Sequence, residues 1–172
     1  TDTDTISASQ LSAVGTKANA ASIAAVTVSS APISGTFAEV IAALVTTASK
    51  VTVNSSNITI TDTIANASAD NITKLNSIMS ATTGTITATI NGDADKLANL
   101  QADSTPSTQQ LTITVNTGAS SAQGDSITAS TSGSVTFTVG TTDTFSNIID
   151  GTSLTSDIQA QLSKDGSLSI VI

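Results

Sequence analysis

No cysteine, histidine, arginine, tryptophan or tyrosine occurs in the 172-residue chain, and each absence removes a class of chemistry. Without histidine there is no imidazole general base and no Ser-His-Asp triad. Without histidine or cysteine there is no zinc, iron–sulfur or haem centre of the ordinary kind, and without cysteine neither a disulfide framework nor a thiol redox function. None of the five lysines stands in a Ser-x-x-Lys pair, and nothing sets one of the twelve aspartates apart as an acid for glycoside hydrolysis. The chain therefore reads as non-catalytic. Its only aromatic residues, Phe37, Phe137 and Phe145, fall at apolar-face positions, which leaves no exposed Trp or Tyr on which a sugar or a base could stack.

Five lysines against 13 acidic residues give a net charge of -8. Such a chain repels phosphate backbones and anionic lipid, so nucleic acid is excluded as a partner. No stretch approaches the roughly 20 apolar residues of a membrane span, and no membrane insertion is expected. The opening Thr1-Asp2-Thr3-Asp4 has neither the basic nor the apolar region of a signal peptide and reads as the start of an excised piece or a mature product.

What the chain has is threonine and serine, together 59 of its 172 residues. With 38% apolar residues and a mean hydropathy of +0.23 it is too hydrophobic to stay disordered. Period-two alternation of β-branched residues predicts strands over 24–29, 51–53, 57–64, 85–90, 111–115, 135–139 and 167–172, with Thr outward and Ile or Val inward. Between them, apolar residues at three-to-four spacing predict short amphipathic helices: Phe37, Val40, Ile41, Leu44 and Val45; Ile72, Leu75, Ile78 and Met79; Leu97 and Leu100; Leu154, Ile158 and Leu162. A strand recurs about every 25–30 residues, the length of one strand–helix unit of a solenoid.

Letters repeat as well. Thr3-Asp4-Thr5-Ile6, Thr61-Asp62-Thr63-Ile64 and Thr142-Asp143-Thr144-Phe145 each open a stretch that runs through a candidate helix toward a strand. The Ser- and Gly-rich segment 116–134 reads as a long loop or a hairpin arm and as the boundary between two parts. The domain reading is thus 1–115 as a strand–helix repeat region and 116–172 as a divergent repeat or second small sub-domain.

The run ITITDTIANASADNITKLNSIMSATTGTITATI, with the earlier ISGTFAEVIAALVTTASKVTV, resembles the tandem-repeat regions of very large secreted cell-surface proteins of bacteria, notably marine cyanobacteria. There a T-[DE]-T strand end, a Leu-bearing helix, a Thr-Thr-Gly-Thr turn and a second Thr/Val strand recur in tandem. The resemblance covers roughly residues 3–115, and the Gly-Gly-x-Gly-x-Asp nonapeptides that often accompany such proteins are absent. It implies an extracellular or cell-surface repeat protein of a surface layer, adhesin or appendage, and the lack of cysteine is compatible with export in the unfolded state.

Asn91-Gly92-Asp93-Ala94-Asp95 sets an amide and two carboxylates within one turn, the hard oxygen donors that calcium takes. Asn91, Asp93 and Asp95 are the candidate metal ligands, and calcium is the one ion the sequence offers a place for; no other cofactor is indicated. The remaining ligands of an EF-hand are missing, since the only glutamate is Glu39. The alternative is a tight turn with Asp93 as N-cap of the helix bearing Leu97 and Leu100. Asp4, Asp62 and Asp143 allow a similar pair of readings: a ladder of cation sites, or strand ends that cap turns. The Thr-x-Thr pairs at Thr59/Thr61/Thr63, Thr85/Thr87/Thr89, Thr112/Thr114 and Thr136/Thr138 raise binding to ice or another crystalline surface, but such ranks want short, equal coils and these are long and uneven, so solvent-facing Thr on half-buried strands is the preferred reading. The sequons at Asn54, Asn57, Asn66 and Asn71 occur as often as composition alone provides.

The expected architecture is α/β: an elongated strand–helix solenoid with parallel Thr-rich strands covered by short helices, the alternative being a β-sandwich with helical crossovers. The expected role is that of a structural repeat module of an extracellular bacterial surface protein, whose partners are neighbouring copies or flanking repeats. An adhesin domain that binds a surface or glycan, or a viral fibre or decoration protein, are the competing classes. The final Ser167–Ile172 run predicts a strand that buries Leu168, Ile170 and Ile172 within the sheet, or an edge that pairs with more protein.

Overall fold

The computed structural model describes residues 4–103 and 108–172; Thr3 of the first Thr-Asp-Thr run lies outside them. Along the chain run β1 (Ile6–Ser7), α1 (Ala8–Ala20), β2 (Val26–Val28), β3 (Ile33–Gly35), α2 (Phe37–Leu44), β4 (Val51–Val53), β5 (Ile58–Ile64), α3 (Ala69–Ala81) and β6 (Ile86–Gly92). There follow α4 (Ala94–Leu97), β7 (Gln109–Val115), α5 (Ser121–Ala129), β8 (Val135–Phe137), β9 (Thr141–Thr142), α6 (Phe145–Ile148), β10 (Ile149–Asp150), β11 (Ser153–Leu154), α7 (Ser156–Lys164) and β12 (Ile170–Val171). Among the described residues this is a mixed α/β fold with seven helices and a six-stranded parallel sheet in the order β1-β3-β5-β6-β7-β8. It is accompanied by the pairs β2-β4, β9-β12 and β10-β11, of which only the last is antiparallel. The six-stranded sheet is parallel, unlike the antiparallel sheets of the β-sandwich alternative, and parallel neighbours need the crossover connections that the helices supply. The chain divides into two compact units, one of residues up to Thr63 with Thr73–Thr89, the other of Ile64–Ile72 with Ile90–Ile172.

In the first unit the main-sheet register places Ile6 against Ile33 and Ile33 against Ile58, while β2 and β4 pair Val26 with Val51. Each step covers one strand–helix unit. Alternation does what period two demands, burying Ile58, Ile60 and Ile64 while Thr59, Thr61 and Thr63 stay exposed. Helix α2 starts where it does because Thr36 and Glu39 form a reciprocal capping box, Thr36 Oγ1 accepting the Glu39 N–H and Glu39 accepting the Thr36 N–H. Val40, Ala43, Leu75 and Ile78 are fully buried, whereas Ile41 and Leu44, also expected in the core, are both only half-buried. The Thr82-Thr83-Gly84 turn returns the chain to β6. Thr82 Oγ1 donates to the Ser56 carbonyl at 2.8 Å and accepts the Gly84 N–H at 2.9 Å. Glycine is required at 84 because a Cβ there would stand 2.3 Å from the Ser56 carbonyl oxygen.

In the second unit Ile113 pairs with Val135 and Thr141 with Ile170, again one unit further along the chain. The turn of the first unit recurs as Thr131-Ser132-Gly133. The buried Thr131 hydroxyl accepts the N–H groups of Leu111 at 2.7 Å and Gly133 at 2.9 Å and faces the Gln109 and Leu111 carbonyls at 3.1 and 3.0 Å. Several sequence expectations are corrected here. Segment 116–134 is no loop or hairpin arm: it holds α5, opened by a Ser120/Gln123 capping box. Its packing partner α7 lays Gln161 over Gly124, and Gln161 Nε2 donates to the Ser121 carbonyl at 3.0 Å. Of the two readings of the 167–172 run, burial within the sheet is overturned and the edge strand is what is found: the run forms only β12, in the two-stranded β9-β12 pair, with Leu168 and Ile170 half-buried and Ile172 73% exposed, because a single neighbouring strand cannot cover it. Phe145 is 60% exposed instead of facing the interior. Leu154 and Leu100 lie outside the helices predicted to contain them, in β11 and beyond α4.

Candidate functional site

The predicted calcium residues fall at the β6–α4 junction. Asn91 is in β6, Asp93 is the N-cap of α4 by its backbone, and Asp95 lies in the first turn. Asn91 Oδ1 accepts the Asn66 N–H at 2.8 Å, and the Asn91 carbonyl accepts that of Ala67, also at 2.8 Å. Asp95 is paired with Lys96, whose ammonium holds its carboxyl below the ordinary value. The Asp93 side chain makes no capping hydrogen bond; the first N–H of α4, Ala94, is met instead by Thr117 Oγ1 at 3.0 Å. Among the described residues no group of three or more carboxylates is arranged to hold a metal ion.

Thr117 belongs to a pattern that period and spacing did not show. Asp62 of β5 accepts the N–H of Phe37, first residue of α2, at 2.7 Å and 25 residues away. Asp143, just after β9, accepts both the N–H and the hydroxyl of Ser121, first residue of α5, at 2.9 and 2.8 Å and 22 residues away. In each case a side chain in or just after one strand closes a helix whose first residue lies 22 to 25 residues earlier, where the helix N-terminus offers unpaired N–H groups and a partial positive charge. The aspartates of the second and third Thr-Asp-Thr runs thus cap helices upstream of themselves, and Asp143 also accepts the Thr144 N–H and an Asn147 amide hydrogen in the stretch that its own run opens. Replacing Asp62 by alanine should cost about 1 kcal/mol, the usual value of such a cap, read as a fall in the urea midpoint; an unchanged midpoint would show that the α2 terminus is satisfied by water alone.

Asp143 also lines an open cleft of about 510 Å³ with Ser120, Ser146, Asn147, Thr155 and Asp157 among its walls. The Ser121 N–H, the Asn147 amide, the Ser121 hydroxyl and the Thr144 N–H together hold its carboxyl far below the usual carboxylate range. A carboxylate so stabilised is a poor proton acceptor. Asp165, after α7, meets opposed influences. Burial raises its pKa, but the Phe137 N–H at 2.8 Å and the Ser167 hydroxyl and N–H outweigh it and bring the carboxyl below its ordinary value. Asp125 differs, being raised by burial and by the nearby Asp157 carboxylate.

Because Asp143 and Asp165 bind protons less readily folded than unfolded, their contribution is complete above the unfolded value, near pH 4, and is lost as pH falls through the lower folded values. The melting temperature of the D143N/D165N variant should therefore start below that of the parent at pH 7 and drop less between pH 4 and 2. Parallel acid curves would show that neither carboxylate is linked to folding.

The outward positions of the main sheet carry hydroxyls and amides. In the first unit these are Ser7, Ser34, Thr59, Thr61, Thr63, Thr87 and Thr89; in the second, Asn91, Gln110, Thr112, Thr114 and Thr136. The one ionisable residue within its strands is Asp62, whose carboxylate is turned to α2. Comparison with protein-family models, with curated proteins and with solved structures found no match in any of the three.

Proposed function

We propose that the chain is a non-catalytic structural repeat module of an extracellular bacterial surface protein, of the kind that builds a surface layer, filament or stalk, and that its strand–helix units stack as a solenoid. One observation carries the reading. Successive strands pair in parallel, each with the strand one unit further along the chain, and a side chain from the later strand caps the helix of the earlier unit. Each unit is then completed by its neighbour, the property that lets repeats be added in tandem. An uncharged outward sheet face, acidic residues elsewhere and no cysteine suit a module that spans distance in an oxidising medium and stays soluble.

Deleting residues 58–85 tests the reading. The Ile33 N–H bonds the Asn57 carbonyl and the Ile58 N–H bonds the Thr85 carbonyl, both at 2.8 Å, so joining Asn57 to Ile86 exchanges one strand for its equivalent. The shortened protein should keep cooperative thermal unfolding and its strand and helix circular dichroism, at a lower melting temperature. A non-cooperative product would mean that the units are not repeats. Antibody to the module should label intact cells of the encoding organism, and labelling only after permeabilisation would overturn the location.

A further inference from the structure

The backbone follows one rule at its parallel pairs. The Ile6 N–H donates to the Pro32 carbonyl, that of Ile33 to Asn57, that of Ile113 to Ser134 and that of Thr141 to Ser169, at 2.8 to 2.9 Å, in every case the residue before the register partner. In a parallel strand, successive residues direct their hydrogen-bonding groups to opposite sides. Strand β12 gives the Ser169 and Val171 carbonyls to Thr141 and Asp143, so the N–H and carbonyl of Ile170 face the open side. Strand β1 turns Ile6 to β3, so the Thr5 carbonyl and the Ser7 N–H face away. Both are outermost strands among the described residues. The two open edges are complementary under the same rule: Ile170 N–H to Thr5 carbonyl, Ser7 N–H to Ile170 carbonyl.

The side chains agree. Ile6 and Ile170 are half-buried, whereas Ile33 and Ile58, with strands on both sides, are 1% and 0% exposed. Six large apolar side chains are exposed among the described residues: Val14 and Ile23 on or just after α1, and Val139, Phe145, Val171 and Ile172 around β9 and β12. Among the described residues between 24 and 138 there are none. The large apolar side chains left uncovered thus lie at positions up to 23 and from 139 on, the parts of the chain that also carry the two open edges, and exposed apolar residues together with an unpaired strand edge recruit another strand.

We infer that a second copy of the chain adds its β1 edge to the β12 edge of the first, as a parallel strand with Ile6 in register with Ile170, continuing the internal ladder across a heterologous contact. This rests on the repeat reading above and names the partner and the residues of its junction. Ser7→Pro is the discriminating variant. Ser7 has φ -68 and follows an extended residue, so proline fits the free chain, but it removes the N–H that the junction needs and sets a ring against the Ile170 carbonyl.

Sedimentation velocity over a wide concentration range should show mass rising with concentration for the parent protein. The S7P variant should need about tenfold more protein to reach the same weight-average mass, with an unchanged melting temperature; tenfold corresponds to about 1.4 kcal/mol. If S7P lowers the melting temperature, Ile172→Ser, at a side chain that is 73% exposed, replaces it and should weaken association likewise. A parent protein that stays monomeric at every concentration overturns the inference, as does association that neither variant weakens. In those cases a 58–85 deletion that still folds leaves the repeat reading standing, whereas a deletion protein that fails to fold overturns both.

Discussion

Replacing Thr131 by valine should lower stability by about 2–5 kcal/mol, although the two side chains have nearly the same shape, because each orphaned buried polar group costs about 1–3 kcal/mol and valine orphans two donors at once. The Thr131 hydroxyl is the partner of two N–H groups, those of Leu111 and Gly133, and also faces two carbonyls. Leu111 is fully buried and Thr131 nearly so, so water cannot take the hydroxyl's place. Thr131→Ser, which keeps the hydroxyl, should recover most of the loss. Urea denaturation of the three proteins decides the matter: serine and valine variants with equal midpoints would show that the methyl group, not the hydroxyl, is what the site needs. The equivalent Thr82→Val change should cost less, because the Thr82 hydroxyl meets the N–H of Gly84 but none from the neighbouring strand.

That hydroxyl also marks where sequence reasoning stops. Thr-Thr-Gly-Thr at 82–85 could be recognised as a turn, but not that its first threonine is buried under the preceding strand, since alternation assigns threonine outward. Strands β2 and β4 to β8 were legible for the ordinary reason that one face is buried and the other wet. The short β1, β3 and β9–β11 offer too few alternating residues for a period to be read. Helix α5 escaped for a different reason. Of its buried positions only Ile127 is a large apolar residue; Ser121, Gly124 and Thr128 are small or polar, and Gln161 of α7 lies directly over Gly124, so no apolar stripe exists to be read. The signal that would have found it is the Ser120-x-x-Gln123 cap, the same device as Thr36-x-x-Glu39. The helix-capping role of Asp62 and Asp143 was half legible. Their place at strand ends follows from the sequence, but their receptors lie 25 and 22 residues upstream, and only the register of the pairing brings them together.

The largest loss from a single side-chain truncation is expected at Leu75. It is 0% exposed on α3, one turn before Ile78, which is equally enclosed, and its removal as Leu75→Ala deletes three carbons from a place water cannot fill. Buried leucine-to-alanine changes cost about 2–5 kcal/mol, the upper part of the range applying where the surroundings cannot close over the cavity. Closure is hindered here because α3 is held by its own N-terminal bonds, Ser68 Oγ accepting the Asn71 N–H at 3.2 Å and Asn71 Oδ1 accepting the Ser68 N–H at 2.9 Å. The same truncation at Ile41, which is only half-buried, should cost clearly less, about 1–2 kcal/mol, in proportion to the area it hides. Comparing the two midpoints separates burial from helix propensity, which favours alanine in both helices. A Leu75→Ala midpoint no lower than that of Ile41→Ala would mean that the apolar stripe of α3 does not anchor the helix, and that backbone capping and the threonine-glycine turn hold the unit together without it.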